Sequence, residues 1–268
     1  MNMHENMLAL PDIQSRVDPR GLSLDAVGIK GVRYPLTIRS AGRSMPTVAL
    51  LTMTVELPAS HKGTHMSRFI ELLERQTEAL GLGDFAAMMP AMLSRLDAPS
   101  GEIQMRFPYF IKKTAPVSGV QSLLDYEVCW TARGHREGQV AQRMKVSVPA
   151  TSLCPCSKEI SDYGAHNQRS YIHIQVDLEQ PVSIEELVRI AEQSASCEVY
   201  GLLKRQDEKF VTERAYDNPK FVEDLVRDVA LALDGDTRIK AFVVEAENFE
   251  SIHNHSAYAR ISGGKTNT

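Results

Sequence analysis

Thr47-Val-Ala-Leu-Leu-Thr-Met-Thr-Val-Glu-Leu57 alternates with a period of two. Ala49, Leu51, Met53, Val55 and Leu57 fall on one side, and Thr52, Thr54 and Glu56 on the other. That is the pattern of a strand with one face in a core and the other in water. Working outward, Val32 to Ser40 reads as a preceding strand. Residues 66–80 read as an amphipathic helix, with Met66, Phe69, Ile70, Leu73 and Leu80 at helical spacing. A second helical run over 84–96 is expected to be kinked or broken by Pro90. Strands at 102–111 and 122–133 complete the order ββααββ.

The second half repeats that order. Strands are expected at 139–148 and 169–178, followed by a helix that Ser183 and Glu186 open as a capping box. Asn218 and Pro219 read as the start of another helix, with Phe221, Val222, Leu225, Val226, Val229 and Leu233 on one face and Gly235 as its stop. Strands at 238–247 and 254–261 close the chain. The fold class expected is α+β: two ββααββ units, residues 29–135 and 136–268, with antiparallel sheets and helices on one face. Residues 1–28, broken by Pro11, Pro19 and Gly21, read as a poorly ordered arm.

Composition narrows the function classes. The 268 residues are 43% hydrophobic and 24% charged, an ordinary globular balance. A net charge of −4 provides no general positive field for nucleic acid or an anionic membrane. No apolar run approaches the roughly 20 residues that span a bilayer. The N-terminal stretch lacks a secretion signal's basic start and apolar core, so a cytoplasmic protein is expected. Four cysteines do not make a disulfide framework in a chain of this length. Cys129 and Cys197, among strand-like or helix-like residues, read as buried thiols. Cys154 and Cys156 differ, because they flank a proline in a polar segment.

That segment, Ser152-Leu-Cys-Pro-Cys-Ser-Lys-Glu-Ile-Ser-Asp-Tyr-Gly-Ala-His-Asn-Gln-Arg-Ser170, is long for a hairpin connection. It carries two thiols, the His166 imidazole, and the cations Lys158 and Arg169. A cysteine and a histidine on one excursion can converge on a zinc-like ion. A closed structural zinc site is the rival reading, although no second Cys or His pair lies nearby to complete it. A further cluster, Glu245, Glu247, Glu250, His253 and His255, lies near the C-terminus. Two apart on extended chain, His253 and His255 point the same way.

Together with KGTHMSRF (62–69), LLKRQDEKFVTE (202–213), NPKFVED (218–224) and FESIHNH (249–255), the Cys-Pro-Cys block closely resembles GTP cyclohydrolase I of type IB. The likeness runs in order from about residue 60 to the C-terminus. It implies the tunnelling fold, with two ββααββ units per chain, and a homotetramer around a tunnel with sites between subunits. The implied reaction hydrolyses GTP at C8 of the purine, opens the ring, and rearranges the ribose to give 7,8-dihydroneopterin triphosphate and formate. This is the first step of tetrahydrofolate biosynthesis, by a hydrolase acting on cyclic amidine C–N bonds.

Residue by residue, the resemblance makes Cys154, His166 and Glu208 the ligands of a divalent metal, manganese or zinc, with iron also admitted by the carboxylate. Glu223 matches a glutamate that holds guanine N1–H and the 2-amino group, and it is expected to face the Cys154 of another chain. Glu250 and His253 match proton-transfer groups near the metal. For the triphosphate, Lys62, His65, Ser67 and Arg68 stand at the start of the first helix. Lys112, Lys113, Lys204 and Arg205 are further candidates. Two other readings remain at this point: a tunnelling-fold purine or pterin enzyme with a cysteine nucleophile, and a metal-stabilised scaffold without activity.

Overall fold

The computed structural model describes residues 12–265. Nine strands and six helices are described: β1 (Leu24–Ser40), β2 (Arg43–Leu57), α1 (Ser67–Glu74), α2 (Leu82–Leu96), β3 (Ser100–Thr114), β4 (Gln121–His135), β5 (Ala141–Leu153), α3 (Pro155–Ile160), β6 (Asn167–Leu178), α4 (Ile184–Ser194), β7 (Cys197–Glu198), α5 (Arg205–Asp217), α6 (Val222–Asp234), β8 (Ile239–Phe249) and β9 (Ser256–Gly264). Their strands form one continuous antiparallel sheet in the order β1-β2-β3-β4-β5-β6-β8-β9. The two expected units meet at the β4–β5 pairing, Glu127↔Ser147 through Arg133↔Ala141. Beyond the paired stretch of β4, β7 pairs with β5 at Ala150 and Thr151.

Alternation along the strands sends one side chain in two to the helices. Leu51, Met53, Met105, Phe107, Trp130, Met144, Val146, Ile172, Ile174 and Val244 are buried together with Phe85, Met89, Leu187, Leu225 and Val229 of the helices. Trp130 anchors the first half, edge-on to Phe107 at 5.1 Å and tilted to Phe85 at 5.7 Å. The opposite sheet face is polar, with Gln104, Arg106, Glu127, Arg143, Lys145 and His173 around a shallow concavity.

Several local expectations are corrected. β1 begins at Leu24, so the last residues of the expected arm pair with β2; residues 1–11 of that arm lie outside the described residues. The first helix ends at Glu74 rather than at 80, because Leu80 is drawn to the edge of β1. There its N–H donates to the Thr37 carbonyl at 2.8 Å and its carbonyl accepts from the Arg39 N–H at 2.9 Å. Helix α1 buries Phe69, Leu72 and Leu73, whereas Met66 and Ile70 are exposed. Helix α2 continues through Pro90 without a break. The missing proline N–H costs one helical hydrogen bond, while the same helix buries Phe85, Met88, Met89, Met92 and Leu93. Helix α6 is capped at Phe221, two residues beyond Pro219.

The second half also carries α3, β7 and α5, absent from the expected order. In α5 only Asp207 and Ala215 are buried, so no apolar stripe marks it. Asp207 pins its first turn, accepting from the Val117 N–H at 2.9 Å, the Ser118 N–H at 2.8 Å, the Ser118 hydroxyl and the Lys204 N–H at 2.8 Å. Burial opposes the charge on Asp207, but these hydrogen bonds outweigh it and hold the carboxyl well below the usual aspartate range.

Candidate active site

Antiparallel pairing brings four strand ends to one rim of the sheet. Leu153 at the end of β5 sits opposite Asn167 at the start of β6, Arg169 opposite Phe249 at the end of β8, and Phe249 opposite Ser256 at the start of β9. The start of α6 joins this rim through the Lys220 N–H, which donates to the Leu153 carbonyl at 3.1 Å. Between these ends lies a cavity of about 410 Å³, within the range that holds a small molecule.

Its walls come from three separated stretches. Cys154, Cys156 and His166 belong to the β5–β6 crossing, Glu223 to the first turn of α6, and Glu250, His253 and His255 to the β8–β9 turn. The crossing is shorter than the sequence pattern implies: the strands reach Leu153 and Asn167, and α3 fills much of the space between. Cys154 caps α3, its Sγ accepting from the Ser157 N–H at 3.5 Å. The Ser157 hydroxyl donates to the Cys154 carbonyl at 3.0 Å and accepts from the His166 N–H at 3.3 Å. One serine thereby fixes the backbone on both sides of the crossing. His166 Nδ1 is 3.0 Å from the Ser251 hydroxyl, which ties the crossing to the β8–β9 turn. His253 and His255 do point the same way, their rings stacked at 5.1 Å and 12°.

Glu223 and Cys154 line this cavity in one and the same chain. Glu208 is not among the lining residues. It is exposed in the first turn of α5. That helix meets the crossing near its other end, where Lys158 Nζ donates to the Tyr216 carbonyl at 2.6 Å. Eight residues of helix separate the two points, roughly 12 Å. Among the described residues no group of three or more His, Cys, Asp or Glu is placed to hold a metal. A thiolate and an imidazole at one wall suit a zinc-like ion, and one chain supplies these two of the three expected donors.

The expected triphosphate residues also stand away from the cavity. Lys62 is exposed, and its N–H donates to the Arg16 carbonyl at 2.9 Å. His65 Nε2 is 3.2 Å from Asp12, and Ser67 is exposed at the start of α1. Arg68 donates to the Arg95 carbonyl at 3.0 Å. Lys113 is committed elsewhere, buried between Glu192 at 2.7 Å and Glu198 at 3.1 Å. Lys112, Lys204 and Arg205 are exposed outside the cavity. Of the two isolated cysteines, Cys197 is buried and Cys129 half-buried, and burial raises both thiols.

The floor of the cavity holds residues that the motif reading missed, Gln168 and Asn248. A signal was available. The inward side of β6 runs Val176, Ile174, Ile172 and then turns polar at Ser170 and Gln168; β8 turns polar at Asn248, and β5 at Ser152. Polar residues on the core side of three neighbouring strand ends mark where the core gives way to a site.

Residues 10–259 match the family model described as type I GTP cyclohydrolase folE2. The chain is 59% identical over 266 residues to a GTP cyclohydrolase FolE2 of Burkholderia ambifaria (strain MC40-6), covering 99% of this chain and 98% of the relative. It is also 59% identical over 265 residues to GTP cyclohydrolase FolE2 2 of Cupriavidus metallidurans, covering 99% of each. Among solved structures it resembles uricase from Arthrobacter globiformis, with a TM-score of 0.55 at 9% identity over 91% of this chain and 94% of that one. Urate oxidase from Bacillus subtilis 168 gives 0.53 at 10% identity over 90% and 98%. The shared architecture is the tunnelling fold, an antiparallel sheet with helices on one face. No helix described is long and apolar enough to cross a membrane.

Proposed function

The chain belongs to the type I GTP cyclohydrolase FolE2 family, and from that membership we propose that its cavity hydrolyses GTP at purine C8, yielding 7,8-dihydroneopterin triphosphate and formate. The observation that carries this reading is the convergence of Cys154, His166, Glu223, Glu250 and His253, from three separated stretches, on one cavity. Glu223 accepts hydrogen bonds from guanine N1–H and the 2-amino group, which fixes the plane and register of the base. Glu250 and His253 take up and return protons as the ring opens and formate leaves. The apolar part of the wall, Pro155, Ile160, Phe221 and Ile252, excludes water from the faces of the base.

Cys154 and His166 would hold a divalent metal, manganese, zinc or iron, with Glu208 of a neighbouring copy as the third ligand. Bound there, the metal would supply Lewis acidity and bring a water's pKa toward neutrality. Lys62, His65, Ser67 and Arg68 reach the triphosphate from a neighbouring copy as well, because in their own chain they lie outside the cavity. Both assignments agree with a homotetramer whose sites lie between subunits. A cytoplasmic enzyme opening tetrahydrofolate biosynthesis is the corresponding cellular role.

The test is incubation of the purified protein with GTP and Mn²⁺ or Zn²⁺, followed by oxidation and pterin fluorescence. Fluorescence that a chelator abolishes supports the reading. Its absence from correctly folded, metal-loaded protein contradicts it.

A further inference from the structure

The polar floor of the cavity is almost fully satisfied. Ser170 Oγ lies 2.7 Å from both Ser152 Oγ and Asn248 Oδ1, so these three side chains complete one another. Gln168 is left out. It is 7% exposed, it lines the cavity beside Cys154, His166, Glu223 and Asn248, and its Oε1 is buried with no hydrogen-bond partner. An unpaired buried amide oxygen destabilises the protein that carries it, and a core position could have taken an apolar residue instead. The last torsion of a glutamine is broad and two-fold. With no partner at Oε1, no hydrogen bond there keeps the carboxamide from turning toward a bound molecule.

We propose that Gln168 is a further substrate-positioning residue, whose carboxamide oxygen accepts a hydrogen bond from an N–H of the bound purine ring. This rests on the reading of the cavity as a guanine-nucleotide site. Guanine presents N1–H and two amino hydrogens as donors. The Glu223 carboxylate takes N1–H and one amino hydrogen side by side, and the second amino hydrogen is left over. The Gln168 amide oxygen can accept it. A ring lacking that amino group leaves Gln168 unpaired, so the residue also favours guanine over a ring without it.

The test uses full-length, metal-loaded protein and 7-deaza-GTP, which keeps every N–H donor of guanine but lacks the N7–C8 amidine to be hydrolysed. Titration calorimetry gives its affinity, and thermal unfolding gives the stability of the ligand-free protein. Gln168→Met should bind the probe roughly tenfold more weakly, as for one lost hydrogen bond. Without ligand, it should melt no lower than the wild type. Gln168→Glu keeps acceptor oxygens and should stay within about threefold of wild-type affinity. Equal binding by wild type and Gln168→Met overturns the assignment of Gln168 alone. So does a Gln168→Glu loss as large as that of Gln168→Met, or a ligand-free Gln168→Met that melts several degrees lower. Failure of the wild type to bind the probe overturns the guanine-nucleotide reading, and the assignment with it.

Discussion

Cys154, capping α3, and Glu223, in the first turn of α6, line one cavity of a single chain although they stand sixty-nine positions apart in sequence. The Lys220 N–H to Leu153 carbonyl bond holds the two elements together from the residues adjoining each. On the proposed reading, thiol and carboxylate would meet one ligand from one chain, while Glu208 stands outside the cavity.

A subunit-mixing experiment separates these positions. Cys154→Ala mixed with Glu223→Ala should not recover activity, because every chain then lacks one half of its own cavity. Cys154→Ala mixed with Glu208→Ala should recover it, up to about a quarter of sites under random pairing. Recovery in the first mixture and none in the second would reverse the assignment. Exchange is verified by mass spectrometry of differently tagged chains.

Cys154→Ala should lose metal and activity together, whereas Cys156→Ala should keep most of both. Proline lies between them, and the structure gives the two thiols different positions: Cys154 is half-buried at the cap, Cys156 exposed within α3. Metal per chain by elemental analysis, alongside turnover, checks this.

Glu223→Ala should keep its metal and lose about two to four powers of ten in guanine-nucleotide binding, as for two hydrogen bonds to a charged acceptor. Much of that appears in kcat/KM, because the base must also be held in position for attack at C8. His166→Ala should lose metal first and turnover as a consequence. Metal-free Glu223→Ala beside metal-replete His166→Ala would contradict both roles.

Much of the fold is legible because one face of each strand enters the core, so Leu51, Met53 and Val55 or Ile172, Ile174 and Val176 declare themselves by alternation. Helix α5 does not, since its contribution to packing is the hydrogen-bonded Asp207 rather than an apolar stripe. The end of α1 is set by a strand edge far away in sequence, and no local pattern announces that Leu80 will pair with it. At the site, the Cys154–His166 crossing and the Glu250–His253 turn stand out by residue type. Glu223 resembles any exposed helix carboxylate until the fold places it in the cavity. The Lys62–Arg68 stretch looks like a phosphate site by charge alone, but in its own chain it packs against residues 12–16.

Asp207 gives a stability prediction with a defined pH sense. Its carboxyl is held below the ordinary aspartate value, so its contribution is present above about pH 4 and lost as pH falls below it. Asp207→Asn should lower the melting temperature by several degrees at pH 7, and the gap from wild type should narrow progressively as pH falls below about 4. Thermal scans from pH 7 to pH 3 test the sign. A gap that widens on acidification would contradict it.

GTP carrying ¹³C at C8 reports whether this cavity hydrolyses the guanine ring at that carbon. With purified, metal-loaded protein, the label should appear in formate in step with pterin formation, and neither Cys154→Ala nor Glu223→Ala should release it at an appreciable rate. Label that stays with the base, or that either variant releases as fast as the wild type, would rule out C8 hydrolysis at this cavity.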